Sequence, residues 1–334
     1  MTEEPGNRAA GRPMVEAHGL CKHFVSLQKR ALIRAVDGID LSVQRGETFG
    51  LLGADGAGKT TTLRLLNGLL LPDGGQASVA GLDTVKQARE IHLRVGYMPQ
   101  QFALYGDMSV LENLDFFSEA RGLTFAQKQE RIPRLLRFAR LEKFGNRLAS
   151  QLSGGMKKKL ALACMLMHEP EVVFLDEPTL GVDPVSRREF WNMLSDLRTE
   201  KSLTIFVCTP YMDEAERCHR VGLMYEGRLI ACDTPQAIKR LVPGELIQLR
   251  PSLVFEAAGV AEHVEGVLEV QTYGDLLHVF VDLAQQRAPQ LASALEAHGI
   301  VVSGMRVIEP GMEEAFVSLI RRENAQAHRE GACP

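Results

Sequence analysis

The chain has 334 residues, 45% of them hydrophobic, enough for two domains of ordinary size, and this excludes a disordered polypeptide. Its 38 basic and 42 acidic side chains leave a formal charge of −4, without the basic surplus that phosphate neutralisation demands, so no nucleic acid is expected as a partner. No run of about 18 apolar residues occurs, so direct membrane insertion is not expected either.

The opening MTEEPGNRAAGRP has acids and no apolar stretch, which predicts a mobile tail over 1–13 and a protein that stays in the cytoplasm. Six cysteines (Cys21, Cys164, Cys208, Cys218, Cys232 and Cys333) stand far apart with no C-x-x-C pair, and are expected to be free thiols. Short β-rich segments at 15–20, 33–41 and 48–52 predict a sheet leading into a glycine-rich loop. That loop, Gly53-Ala54-Asp55-Gly56-Ala57-Gly58-Lys59-Thr60, fits G-x-x-x-x-G-K-[ST] and precedes a helix expected over 61–70. Its glycines let backbone N–H groups converge on a phosphate chain, Lys59 reaches the outer phosphates, and the Thr60 hydroxyl can ligate Mg²⁺.

Helical spacing then predicts a helical insertion over about 101–160. Within it, Leu152-Ser153-Gly154-Gly155-Met156 opens a helix expected over 157–167. The segment reads as a second anion cradle with no lysine of its own, serving a nucleotide held by another subunit, or as an N-cap by Ser153 with a glycine turn. Apolar runs at 172–175 and 204–208, separated by a helical stretch at 186–198, predict buried parallel strands with a crossover helix. The first run ends in Asp176 and Glu177, at the edge where α/β sheets bind ligands. Asp176 would hold magnesium through water, and Glu177 would face the water that attacks the γ-phosphate. From Pro243 the order becomes βαββαβ: strand 245–249, helix 252–263, a hairpin 267–271 and 276–282 around Tyr273-Gly274-Asp275, helix 288–298, strand 300–308. This predicts a small ferredoxin-like α+β domain over 243–323, closed by a helix at 312–321, with a tail at 324–334.

Together these motifs resemble the ATP-binding subunit of an ABC transporter over residues 15 to about 240, within a domain drawn as 14–242. The resemblance implies an α/β P-loop ABC ATPase cassette with a helical subdomain. Gly53 to Thr60 is then the Walker A loop, with Thr61 next in the binding set, Asp176 and Glu177 the Walker B pair, and Ser153, Gly154 and Gly155 the heart of the signature. Gln100 resembles the magnesium-sensing glutamine of the Q-loop, so that Thr60, Gln100 and Asp176 form the implied metal set, with Glu177 and Gln100 catalytic. Gly181-Val182-Asp183-Pro184 resembles the D-loop, and Phe24 the aromatic residue that stacks on adenine, against a plain reading of Phe24 as a core residue at a strand end. Met156, Met98-Pro99-Gln100 and the C-terminal Glu309-Pro310-Gly311-Met312-Glu313-Glu314-Ala315-Phe316 are most similar to the ABC-2 type drug-exporter group, and to the amino-terminal ATPase half of its tandem subunits.

Two positions depart from the family pattern. Asp55 stands where many relatives have Asn, and Pro210 stands where the family has a histidine that contacts the γ-phosphate. Proline supplies neither a side-chain donor nor a backbone N–H. His219, nine residues on, is expected to be a surface histidine, and Thr209 offers a nearby hydroxyl. The implied function is an ATP- and Mg²⁺-dependent ATPase that pairs with a second ATPase subunit, of the same or a different kind. It drives a separate ABC-2 type permease, contacted near 100–112, from the cytoplasmic side of the membrane. The alternatives are an ABC ATPase without a membrane partner and, on account of Pro210, a poorly hydrolysing regulatory subunit that holds ATP and lends its signature to another ATPase.

Overall fold

The computed structural model describes residues 12–26, 31–101 and 104–331. Most of the expected N-terminal tail, Phe102 and Ala103 of the expected helical insertion and permease-contacting segment, and residues 332–334, Cys333 among them, lie outside the described residues. The chain forms two compact units that divide between Cys232 and Asp233.

The first unit begins with β1 (Val15–Ser26) and β2 (Ala31–Val43), an antiparallel pair whose register shifts at Leu20 and Lys22. Next comes β3 (Thr48–Leu52), buried at all five positions, which feeds the phosphate loop and α1 (Lys59–Leu66). β4 (Gly74–Val79), β5 (Leu82–Asp83), α2 (Ala88–Arg94) and β6 (Val95–Met98) lead to the helical insertion. There α3 (Val110–Ala120) and α4 (Phe125–Ala139) each start at a capping box, Ser109 with Glu112 and Thr124 with Gln127, which satisfies N–H groups that the first helical turn leaves orphaned. Helix α5 (Gly154–Met165) follows, then β7 (Val172–Asp176), α6 (Pro184–Lys201), β8 (Thr204–Thr209), β9 (Arg220–Tyr225) and β10 (Arg228–Asp233).

These strands form two sheets, ordered β2-β1-β4-β5 and β10-β9-β3-β8-β7-β6. In the second, β9, β3, β8, β7 and β6 run parallel, and β8 lies between β3 and β7. The loops leaving β3 and β7 therefore flank the end of β8, at the carboxyl edge where open α/β sheets bind ligands. The sheet holds together through Phe49, Phe174 and Phe206, all fully buried, with ring centroids 5.2 and 5.6 Å apart. Such uninterrupted burial is what a parallel sheet covered on both faces requires.

Helix α1 ends earlier than the expected limit at residue 70. Asn67 closes it, Gly68 turns the chain at φ +65°, and Leu69 is half exposed, so the apolar run beyond Leu66 is not helical core. Strands β4, β5, β6, β9 and β10 have no counterpart among the expected elements, and the last two are joined by Glu226-Gly227, both at positive φ, the conformation that a two-residue hairpin favours.

The second unit contains α7 (Pro235–Lys239), β11 (Glu245–Pro251), α8 (Val254–Ala261), β12 (Val267–Tyr273), β13 (Leu276–Val281), α9 (Ala284–Ala297), β14 (Val302–Ile308) and α10 (Met312–Gly331). Its sheet is ordered β12-β13-β11-β14 with every neighbouring pair antiparallel, the split βαβ pattern. Its core of Ile247, Leu249, Val279, Leu291 and Leu295 lies on one face. The unit starts ahead of the composition change at Pro243 because α10 also holds the segment before β11: Arg322 Nη1 donates to Leu241 O at 2.9 Å. Helix α10 continues to Gly331, well past the expected end at residue 321.

The five described cysteines are free thiols. Among the described residues no helix is long and apolar enough to cross a membrane. Leu291 is fully buried in the second unit only, so Leu291→Ala should destabilise that unit by about 2–5 kcal/mol. Scanning calorimetry should show this as a lowered transition of the second unit, with the first unit unaffected.

Candidate functional site

The phosphate loop owes its shape to two close approaches. A Cβ at Gly53 would collide with the Met224 carbonyl. Gly58, the N-cap of α1 at φ +106°, would drive a Cβ into the Ala35 carbonyl. Only glycine fits, and the backbone beyond is free to open its N–H groups toward an anion at the start of α1. Ala54, Asp55 and Gly56 are exposed on this loop, Ala57 is buried, and Thr61 is half-buried one residue inside the helix.

Lys59 is only 4% exposed. Its ammonium donates to the carbonyls of Gly53 at 2.8 Å and Ala54 at 2.9 Å, and lies 4.0 Å from Glu177 Oε1. Across the gap left by β8, the Thr60 hydroxyl donates to Asp176 Oδ1 at 3.1 Å, and Gln100 Nε2 donates to Glu177 Oε2 at 2.7 Å. Residues from α1, the end of β7 and the loop after β6 thus meet in one cluster, the juxtaposition that the loop motif and the strand-end acids predict. Glu177 itself holds φ +47°, a left-handed conformation costing a non-glycine residue about 1 kcal/mol or more, and its N–H is anchored to Cys208 O at 2.9 Å.

Electrostatics follow from burial. Loss of water raises the Asp176 carboxyl above the ordinary aspartate value, the Thr60 hydrogen bond pulls it partly back, and the neighbouring Glu177 charge pushes it up again. Burial likewise lowers the Lys158 ammonium, with the Glu177 and Asp176 charges opposing. Lys158 Nζ donates to Gln100 O at 3.2 Å. Lys158, in the run Lys157-Lys158-Lys159 of the expected helix, is not among the site residues expected from the sequence. Another unheralded pair, Thr179 Oγ1 to Glu214 Oε1 at 2.6 Å, ties the loop after β7 to the turn after Pro210.

Magnesium can be tested against this donor set. A hydroxyl and a carboxylate oxygen lie 3.1 Å apart, Gln100 has its amide N–H engaged with Glu177, which leaves the amide oxygen for a cation, and two buried carboxylates face one lysine. Hard oxygen donors with surplus negative charge fit Mg²⁺.

Among the described residues, the remaining candidates make no hydrogen bond to the side chains of that cluster. Ser153 caps α5 by accepting from Met156 N, the bland reading of that segment, while Gly154 is exposed. Gly155 is buried against Ser186, where any Cβ would collide. Among the described residues, no hydrogen bond joins Ser153, Gly154 or Gly155 to the phosphate loop. Asp183 caps α6 by accepting from Ser186 N at 2.9 Å. Phe24 is 42% exposed, which overturns the core reading: it lies on the open part of β1, with Lys22 Nζ 5.8 Å from its ring centre. Pro210 is half-buried just past β8, where Thr209 Oγ1 accepts from Tyr211 N at 3.1 Å. His219 is exposed, as expected, and its Nδ1 accepts from Thr48 N at 3.0 Å.

A parallel sheet whose carboxyl edge carries this loop and these two acids defines a nucleotide-binding protein of the P-loop class. Residues 36–180 match the ABC transporter family. The chain is 45% identical over 313 residues to the probable multidrug ABC transporter ATP-binding protein YbhF of Escherichia coli K12, covering 92% of this chain and 52% of that protein. It is 35% identical to the Nod factor export ATP-binding protein I of Ralstonia nicotianae, covering 96% and 98%, and 35% identical to the daunorubicin resistance ATP-binding protein DrrA2 of Streptomyces coeruleorubidus, covering 88% and 93%. The chain thus spans about half the length of the Escherichia coli relative and nearly the whole of the other two. Among solved structures, cbiO1 from Clostridium perfringens, part of the ABC transporter complex cbiONQ, superposes with a TM-score of 0.60 at 26% identity, covering 70% of this chain and 95% of that one. A dimeric bacterial ABC transporter cassette, 24% identical with a TM-score of 0.60, covers 66% and 98% and shares the fold. The chain belongs to the family of ABC transporter ATP-binding proteins.

Because burial raises the Asp176 carboxyl in the fold, the unfolded chain gives up its proton at lower pH than the native protein does. Ionised Asp176 therefore costs stability as pH rises through its native pKa, and fully above it. Asp176→Asn should raise the melting temperature of the ligand-free protein at neutral pH, with the gain fading in acid as Asp176 becomes protonated in both states. Melting curves across pH in the presence of a chelator check this.

Proposed function

We propose that this chain is an ATP-hydrolysing subunit that powers a separate ABC-2 type membrane permease exporting drugs or similar compounds. The observation that carries the reading is the convergence of Lys59, Thr60, Asp176, Glu177 and Gln100 at one sheet edge. Lys59 exchanges its bonds to the Gly53 and Ala54 carbonyls for bonds to the outer phosphates, and the loop N–H groups take the rest of the phosphate chain. Phe24 stacks on the adenine. Mg²⁺ held by Thr60, Gln100 and Asp176 would offset phosphate charge. Glu177, kept in place by Gln100 and by its own strained backbone, accepts the proton of the attacking water. Ser153, Gly154 and Gly155, at the start of α5 and without a hydrogen bond to the phosphate loop, serve the nucleotide of a second ATPase subunit. The names of the relatives, multidrug, Nod factor export and daunorubicin resistance, support a role in export.

Lys59→Ala removes a charge-assisted contact worth about 1.5–3 kcal/mol and should weaken ATP binding about 10- to 100-fold in titration calorimetry. Glu177→Gln should lower turnover by about 10² or more while leaving ATP bound. Turnover of the variant equal to that of the parent would defeat the assignment. Pro210 stands at the end of β8 between the two loops that carry Lys59 and Glu177. Restoring a donor with Pro210→His should raise the steady-state ATPase rate, by up to about 10².

A further inference from the structure

At the end of β3 opposite the phosphate loop, a cavity of about 300 Å³ opens between α6 and the segment 212–219. Thr48 and Trp191 are buried in its wall, and Ser195, Arg198, Arg217 and His219 stand at or near its mouth. No Asp or Glu lines it. Among the described residues, neither Arg198 nor Arg217 has an ion-pair or hydrogen-bond partner. The Trp191 indole N–H is buried without a partner as well. His219 accepts the Thr48 N–H at Nδ1, which puts the proton of the neutral ring on Nε2 and makes that atom a donor. Guanidinium forks, an imidazole N–H and a hydroxyl form a donor set with no acidic counterpart, beside the buried and unpartnered indole N–H.

We infer that this cavity is a second, anion-binding site, distinct from the nucleotide site and suited to a small phosphate monoester. Two unpaired guanidiniums match the oxygens of a phosphate in bidentate fashion, and the volume, at the low end for ligand pockets, admits a small metabolite. The length of β3, about 16 Å, separates it from the phosphate loop. Its position gives it a regulatory role. Helix α6 is capped at Asp183, next to the loop of Glu177, and carries Arg198 in its last turn. The 3₁₀ segment Met212–Arg217 starts two residues after Pro210 and ends at Arg217. An anion bridging Arg198 and Arg217 joins the far ends of two elements whose near ends flank the reacting carboxylate. This regulatory consequence rests on the ATP-hydrolysis reading; the binding itself does not.

Trp191 is the only tryptophan of the chain, so its fluorescence reports on this cavity alone. The full-length protein is saturated with a non-hydrolysable ATP analogue and Mg²⁺, which occupies the phosphate loop, and titrated with glycerol 3-phosphate at constant ionic strength, with glycerol as the uncharged control. A saturable change with glycerol 3-phosphate and none with glycerol is expected, with the affinity reduced about tenfold in Arg198→Gln and in Arg217→Gln. Absence of saturation, an equal response to glycerol, or an affinity unchanged in both variants overturns the proposal. Vesicles containing phosphatidic acid present the same headgroup on a lipid. Binding to them without any response to glycerol 3-phosphate overturns a soluble ligand. ATP affinity is measured separately by calorimetry, so a failure of the nucleotide reading shows there and leaves the Trp191 titration interpretable.

Discussion

Burying Asp176 and Glu177 side by side demands donors and positive charge within reach, and much of the cassette answers that demand. An uncompensated buried carboxylate costs several kcal/mol, whereas a paired and hydrogen-bonded one is tolerated. Lys59 arrives from α1, Thr60 from the next position, Gln100 from the loop after β6, and Lys158 stands behind Gln100. Each of these depends on the parallel order β3-β8-β7-β6, which brings the ends of strands distant in sequence to one edge. The packed aromatic rings of Phe49, Phe206 and Phe174 fix the spacing of β3, β8 and β7, and so the reach of the side chains beyond them.

What could be read in advance was local chemistry. The phosphate loop is a run of eight residues whose geometry needs glycine, and the acids at 176 and 177 follow an unbroken apolar strand, so both were legible without a fold. The split βαβ order of the second unit was also visible, because its strands and helices alternate with turn residues between them. Features that depend on tertiary surroundings were not visible. The apolar residues 69–70 look helical, yet Gly68 at positive φ ends α1 before them. Phe24 by residue type admits an adenine-stacking reading and a core reading alike, and only its place on β1, which carries it outward, removes the second. Nothing in the run 157–159 marks Lys158 out, and only the approach of α5 to Gln100 brings it near the carboxylates.

In the second unit a polar ladder does for specificity what the apolar core does for stability. Arg306 Nε donates to Gln248 Oε1 at 2.8 Å, the Gln248 amide nitrogen lies 2.8 Å from His278 Nε2, and His278 Nδ1 lies 3.1 Å from Glu314 Oε1 on α10. Hydrogen bonding from His278 holds the Glu314 carboxyl below its ordinary value, against burial. This ladder runs from β14 through β11 and β13 to the helix, and a shift of α10 along its axis would part Glu314 from His278 and leave the half-buried carboxyl and the buried imidazole without each other. It fixes where a long terminal helix sits on the sheet face opposite Leu291 and Leu295.

Lys59 spends its donors on the carbonyls of Gly53 and Ala54, within its own loop. The ammonium is thereby already immobilised and dehydrated before any phosphate arrives, and the loop is curled around it. A ligand that takes over these donors trades one set of oxygens for another and orders little that was loose. The ordering of this side chain is thus already met within the fold, and for Lys59 a phosphate would ask for an exchange of oxygens rather than for the loss of rotamer freedom.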